Sequence, residues 1–204
     1  MKTVMTALLG LLLSTAALAT KPTPPVPEGL AKATFAAGCF WCVEPPFDKL
    51  DGVISTTSGY IGGKEKNPSY NEVSRGETGH TEAVEVIYDP KRVSYETLLD
   101  TFWINVDPTT NTRQFCDSGA HYRPGIFWHG EEQKAAAEKS HKLIDESGRF
   151  DQPIKVEVTE ATTFYAAESY HQDYYLRNPA RYKYYRWACG RDARLDDLWG
   201  ELRQ

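Results

Sequence analysis

The sequence predicts an α+β fold in a single domain, and three observations carry that reading. Short alternating runs rich in β-branched residues stand between segments of helical period, with no regular strand–helix–strand repeat to join them. No internal repeat and no linker-like change of composition divides the 204 residues. Residues 107–124 are rich in Thr, Asn, Gly and Pro and read as a long loop of the kind that carries function.

Residues 1–19 read as a secretory signal. Lys2 gives a positive start, an apolar run follows from Thr6 through Leu13 to Ala17, and Ala17-Leu18-Ala19 offers a small-x-small pattern for cleavage after Ala19. That run is too short to cross about 30 Å of hydrocarbon as a helix. Residues 20–30 hold Pro22, Pro24, Pro25 and Pro27 and read as an extended, unpacked leader to a domain at residues 31–204. A strand is expected over 32–37, ended by Gly38. From Cys39 the spacing turns helical, with Val43, Phe47 and Leu50 on one face and Pro45 and Pro46 early, where missing N–H groups cost least. Residues 53–63 predict a strand running into a Gly-rich loop, and 79–88 a strand stopped by Asp89-Pro90. Ser94 can cap a helix over 95–105. Beyond the long loop come a strand at 126–128, a helix at 131–147, a strand at 153–159 and a helix at 167–177. Residues 182–202 are aromatic, then charged, and only weakly periodic.

The net charge of −5, with no basic stripe, argues against a nucleic acid partner. Four cysteines in an exported chain would ordinarily be two disulfides. Cys39 and Cys42, however, form a Cys-x-x-Cys at a helix start, which fits a redox pair, a structural bridge or half a zinc site. A four-cysteine zinc site lacks its second close pair, since Cys116 and Cys189 stand far apart in sequence. No Gly-rich phosphate fingerprint and no Ser nucleophile elbow is present. Cys39 follows a Gly and opens the helix, a position that aims N–H groups at the sulfur and favours thiolate. Phe40 and Trp41, about 100° apart on the helix, cannot both face the core easily. Glu82 lies inside an apolar strand; if its face is buried, its pKa rises and it becomes a proton donor near neutrality. Glu85 points to the opposite face. Asp117, His121, Tyr122 and Arg123 share the long loop, Tyr60 and Tyr70 lie in or near the Gly-rich loop, and His171 sits among tyrosines on an expected helix.

The motifs Gly38-Cys39-Phe40-Trp41, Glu44, Ser58-Gly59-Tyr60, Gly62-Gly63, Asn67-Pro68-Ser69-Tyr70 and Gly79-His80-Thr81-Glu82-Ala83-Val84 occur in this order. Tyr88-Asp89-Pro90, Asp107-Pro108-Thr109, Asp117, Tyr122-Arg123, Tyr170-His171-Gln172 and Tyr174 follow. Together they resemble the peptide-methionine sulfoxide reductases of the A type over nearly the whole mature chain. The resemblance implies a central mixed β-sheet flanked by helices and reduction of the S epimer of methionine sulfoxide, free or in oxidised proteins. By position, Cys39 would attack, Glu82 would be the protonated acid, and Phe40 and Trp41 would hold the methyl group. Tyr70 and Tyr122 would bond the oxygen, with Asp117 and His171 in support. It further implies a Cys39 sulfenic acid, resolution by a second thiol, no bound cofactor, and regeneration by an external dithiol such as a thioredoxin-like protein. The departure is Cys42, where many members carry Gly and resolve from a C-terminal tail; Cys42, Cys189 and Cys116 are the resolving candidates here. The alternative reading is a general Cys-x-x-Cys thiol–disulfide oxidoreductase. The enzyme is expected to be a periplasmic monomer with no membrane span.

Overall fold

The computed structural model describes residues 20–203, so the signal expected at residues 1–19 lies outside the described residues. Nine strands and seven helices follow in the order β1 (Lys21–Pro22), β2 (Ala31–Ala36), α1 (Phe40–Asp48), β3 (Val53–Ile61), α2 (Tyr70–Ser74), β4 (Thr81–Tyr88), α3 (Tyr95–Trp103), β5 (Arg113–Gln114), β6 (Asp117–Ser118), β7 (Gly125–Trp128), α4 (Glu131–Asp145), β8 (Glu157–Glu160), β9 (Tyr165–Ala166), α5 (Tyr174–Arg177), α6 (Pro179–Ala188) and α7 (Arg191–Trp199). Seven strands form one sheet in the order β1-β9-β3-β4-β2-β7-β8, and β5 and β6 form a separate hairpin. Only β7 and β8 run parallel, so the sheet is mixed. Among the described residues no helix is long and apolar enough to cross a membrane.

Strand alternation builds two apolar layers. Phe35, Val84 and Val86 face one way and pack with Phe47 of α1, Leu98 and Phe102 of α3, and Leu195 and Trp199 of α7. Ring stacking of Phe35 on Phe47, with centroids 4.9 Å apart, locks α1 over the central strands. The neighbours Ala36, Ala83 and Phe127 point the other way into a smaller cluster with Ile61 and Phe164. Glu82 is two residues from Val84 and therefore lies on the α1 face. Glu85 takes the opposite face, where it accepts from Thr23 Oγ1 at 3.2 Å and meets Lys32.

Several segments differ from the sequence expectation. The leader is packed: β1 pairs with β9, the Thr23 amide donates to Phe164 O, and Thr20 Oγ1 donates to Pro68 O at 2.6 Å. An edge strand tolerates prolines because its outer N–H groups have no ladder to serve. Tyr70 opens a short helix instead of sitting in a loop. Ser69 and Glu72 form a reciprocal capping box there, a signal present in the sequence as Ser-x-x-Glu. The long loop contains the β5–β6 hairpin and a 3-10 turn at Ala120–Tyr122. The strand expected from Pro153 starts at Glu157, and the Lys155 amide before it donates to Pro108 O. The helix expected over 167–177 survives only as α5, because Asp173 takes a left-handed φ of 51° just before it. His171 therefore sits in a turn. The aromatic tail forms α6 and α7, with Pro179 in the first turn of α6 and Gly190 at φ 67° between the two.

Cys116 at the hairpin tip and Cys189 at the end of α6 form a disulfide across 73 residues. Closing so long a loop removes denatured-state entropy worth about 4 kcal/mol. The double replacement Cys116→Ser/Cys189→Ser is expected to lower the unfolding free energy by about that amount in non-reducing urea titrations. A loss below about 1 kcal/mol would show that the link constrains little.

Candidate active site

The site is assembled where β2 hands over to α1. The chain turns at Gly38, whose φ is 86° and whose missing Cβ would lie 2.5 Å from Gln114 Cβ, so no larger residue fits. Cys39 then takes the N-cap position of α1 without a side-chain cap bond. The first helical amide, Phe40 N–H, donates instead to Glu82 Oε2 of β4 at 3.0 Å. Acid and thiol thus share one helix end. Both are buried, Cys39 at 6% and Glu82 at 2% exposure.

Burial overturns the expectation that the helix start lowers the Cys39 pKa. Burial, then the hydrogen bond with Cys42, then the Glu82 charge push the Cys39 thiol well above the usual range. Burial also pushes Glu82 up to about 8, against the opposing Phe40 amide, with Asp117 and Cys42 adding negative charge nearby. A neutral carboxyl at neutral pH is the result. One turn on, the Cys42 amide donates to Cys39 O at 2.9 Å. The hydrogen bond from Cys39, helped by Arg191 and Arg186 against burial, brings Cys42 down to about 7. Within the pair, burial holds the Cys39 thiol up and the Cys39 hydrogen bond and the two arginines bring Cys42 down. Cys39 and Cys42 are the free thiols among the described residues, whereas Cys116 and Cys189 are bonded to each other. That leaves Cys42 as the resolving candidate standing free beside Cys39.

The aromatic walls come from distant segments. Phe40 is buried against Tyr60 and His171, with centroids 5.9 and 5.0 Å away. Trp41 is half-buried, lies flat on Tyr174 at 3.7 Å, and donates through Nε1 to His171 Nδ1 at 3.0 Å. His171 accepts there because burial pushes it down to about 4 and keeps it neutral. Tyr70 stands against His171 at 4.5 Å, its backbone held by Glu168 Oε1, whose other oxygen accepts from Tyr60 Oη. Tyr122 ends the 3-10 turn, which is fixed to β4 because Thr81 Oγ1 lies 3.1 Å from His121 O and from Arg123 O. Burial, then the charges of Glu82 and Cys39, raise both tyrosines, Tyr70 to about 12. Each hydroxyl stays a proton-bearing donor within electrostatic reach of Glu82 and Cys39.

Asp117 acts through a side chain that sequence reasoning missed. Tyr185 of α6 donates to Asp117 Oδ2 at 2.6 Å, and burial, then the Cys39 charge, raise its own pKa. Gln172, next to His171, grips the Ser58 backbone in both directions, at 2.9 and 2.8 Å, and fixes that turn. Arg191, at the start of α7, is the other missed residue and is fully buried. Neither Tyr185 nor Arg191 belongs to a local motif that would have marked it. A cleft of about 640 Å³ beyond Cys189, lined by Arg113, Arg149 and Arg194, lies away from Cys39 and holds none of these donors. The arrangement can protonate an oxygen, offer an adjacent thiol to the atom that bears it, and shield a small apolar group.

Known proteins resemble this chain in sequence and in fold. A family model described as peptide methionine sulfoxide reductase matches residues 31–203. The peptide methionine sulfoxide reductase MsrA of Listeria monocytogenes is 51% identical over 172 residues, covering 84% of this chain and 97% of that protein. Among solved structures, reduced Mxr1 from Saccharomyces cerevisiae superposes with a TM-score of 0.71 at 32% identity over 76% of this chain and 88% of the yeast chain. Methionine sulfoxide reductase A of Corynebacterium diphtheriae gives 0.70 at 32% over 84% and 92%. The structure of Mxr1 in complex with Trx2 shares the fold, with a TM-score of 0.53 at 22% identity over 74% and 90% of the two chains.

Proposed function

The chain belongs to the peptide methionine sulfoxide reductase family, and from that premise we propose that it returns the S epimer of methionine sulfoxide, free or in proteins, to methionine through a thiol cycle on Cys39. The observation that carries the reading is the neutral Glu82 carboxyl seated on the amide that follows the nucleophile. A sulfoxide oxygen leaves poorly unless protonated, so a buried acid beside a thiol is the pairing this chemistry needs. Glu82, Tyr70 and Tyr122 bond the oxygen, and Phe40 and Trp41 receive the methyl group. The Cys39 sulfur attacks the sulfoxide sulfur as the carboxyl proton passes to oxygen. The S–O bond breaks, and the oxygen passes to the Cys39 sulfur as the new sulfur–sulfur bond opens and returns its electron pair to methionine. This leaves a Cys39 sulfenic acid, and the thiol proton restores the carboxyl. Methionine leaves.

Cys42 then displaces the sulfenic hydroxyl as water and forms a Cys39–Cys42 disulfide. An external dithiol supplies two electrons to reopen it; no prosthetic group enters the cycle. The yeast Mxr1–Trx2 complex supports a thioredoxin-like donor. Export to the periplasm is supported by the small-x-small site after Ala19 and by the Cys116–Cys189 link, since such links persist in oxidising compartments. The free Cys39–Cys42 pair also fits a general disulfide reductase, which would reduce insulin disulfides whether or not Glu82 can ionise.

One enzyme type handles one sulfoxide epimer, so a racemic methionine sulfoxide mixture with dithiothreitol should be consumed to about half and then stop. No turnover by protein with titratable Cys39 sinks the proposal.

A further inference from the structure

Among the described residues, Arg191 is a buried cation without a salt-bridged carboxylate partner. It is 1% exposed, and its Nη2 donates to Ala37 O at 3.1 Å and to Asn105 O at 2.7 Å. Its guanidinium lies 4.2 Å from the Phe115 ring centre, and its Nε has no partner. Nη1 comes within 3.6 Å of where a Gly38 Cβ would be, directly behind the nucleophile. An Arg does not shed its proton, and a buried charge needs compensation. The groups that act on it are Cys39 and Cys42 at the start of α1, Asp117 from β6, and Tyr182, Tyr185 and Arg186 from α6, with Glu82 beyond the two cysteines. Glu82 is neutral. Asp117 is already bonded to Tyr185, and Arg186 is engaged by Asp192 at 2.8 Å. Asp117, whose Tyr185 partner is neutral, and the dithiol are therefore the counter-charges it faces.

We propose that Arg191 is the positioning residue of the resolving step, stationing a buried positive charge behind the Cys39–Cys42 pair so that Cys42 meets the Cys39 sulfenic acid as a thiolate. This rests on the reductase reading above. In the step, the Cys42 thiolate attacks the Cys39 sulfur, the S–S bond forms, and the S–O bond breaks. Glu82 supplies the proton with which hydroxide leaves as water. Cys42 is oxidised and Cys39 reduced by one level each, so the two sulfurs balance.

The test uses the whole mature chain, one equivalent of methionine sulfoxide and no reductant, quenched between pH 6 and 9. Methionine and the disulfide formed are followed separately by mass spectrometry. Wild type should form Cys39–Cys42 at a rate that rises with a midpoint near pH 7 as Cys42 ionises. The rate should fall again above about 8 as Glu82 loses its proton, the midpoint compared among variants being that of the acid limb. Arg191→Met should release methionine within about 3-fold of wild type yet form the disulfide at least about 10-fold more slowly at pH 7, its midpoint moved up by about a unit or more. Arg191→Lys should recover most of that loss. An unmoved midpoint in Arg191→Met, a loss that Arg191→Lys does not recover, or a disulfide joining Cys39 to another cysteine overturns the proposal. If Arg191→Met does not fold, a wild-type midpoint at the ordinary cysteine value of about 8.5 overturns it alone. Absence of any methionine from wild type would instead refute the reductase reading.

Discussion

Glu82→Gln should lower the rate of methionine formation by about 10²- to 10⁴-fold while leaving the fold intact, the range expected when a positioned proton donor is lost. The amide can keep the contact at this position, because its oxygen still accepts from the Phe40 N–H that now reaches Glu82 at 3.0 Å. What it cannot do is give a proton to the departing oxygen. Burial favours a neutral group there, so thermal stability should be unchanged or higher. The pH dependence has a definite sign. Glu82 is raised to about 8, so the acid is loaded below that value and lost as pH rises through it. Wild-type turnover of methionine sulfoxide should therefore fall on the alkaline side with a midpoint near 8, and the Gln variant should lack that limb. A variant within about 3-fold of wild type would remove Glu82 from the role of acid.

The second large effect falls on Cys42. With a thioredoxin as donor, Cys42→Ser should release one methionine per chain and then stall, because no thiol remains beside the Cys39 sulfenic acid. The first turnover should proceed within about 10-fold of the wild-type rate, since the attacking sulfur and the acid are both present. Rapid-quench methionine assays separate the two phases, and dimedone should trap the stalled sulfenic acid. Continued turnover at the wild-type rate would hand the resolving role to Cys116 or Cys189. Those two would first have to part from each other.

The parts of this site that lie in one stretch of chain were legible in the sequence. Gly38-Cys39 at a strand-to-helix junction and a carboxylate embedded in an apolar strand are local patterns, and the structure brings them together because β2 and β4 are neighbours. Whether Glu82 is buried depended on which face α1 covers, which no local pattern states. The Cys39 pKa was misread for a related reason. The rule about helix starts holds for a sulfur that water can reach, and burial of Cys39, then its hydrogen bond with Cys42 and the Glu82 charge, outweigh it. Ser69, Glu72, Pro179 and Gly190 carried readable capping signals for α2, α6 and α7. Tyr185 and Arg191 had none, since both reach Cys39 from nearly the far end of the chain and an Arg is rarely a core residue. The Cys116–Cys189 pairing was equally hidden, because four cysteines allow three pairings.

That pairing has a practical consequence for the bench. It fastens the hairpin bearing Asp117 to the helix bearing Tyr185, with Cys116 exposed and Cys189 half-buried. A small dithiol added in excess to drive catalysis will also unfasten this clasp. Rates measured with dithiothreitol and rates measured with a protein donor then belong to two different covalent species. Counting free thiols before each assay tells which one is being timed.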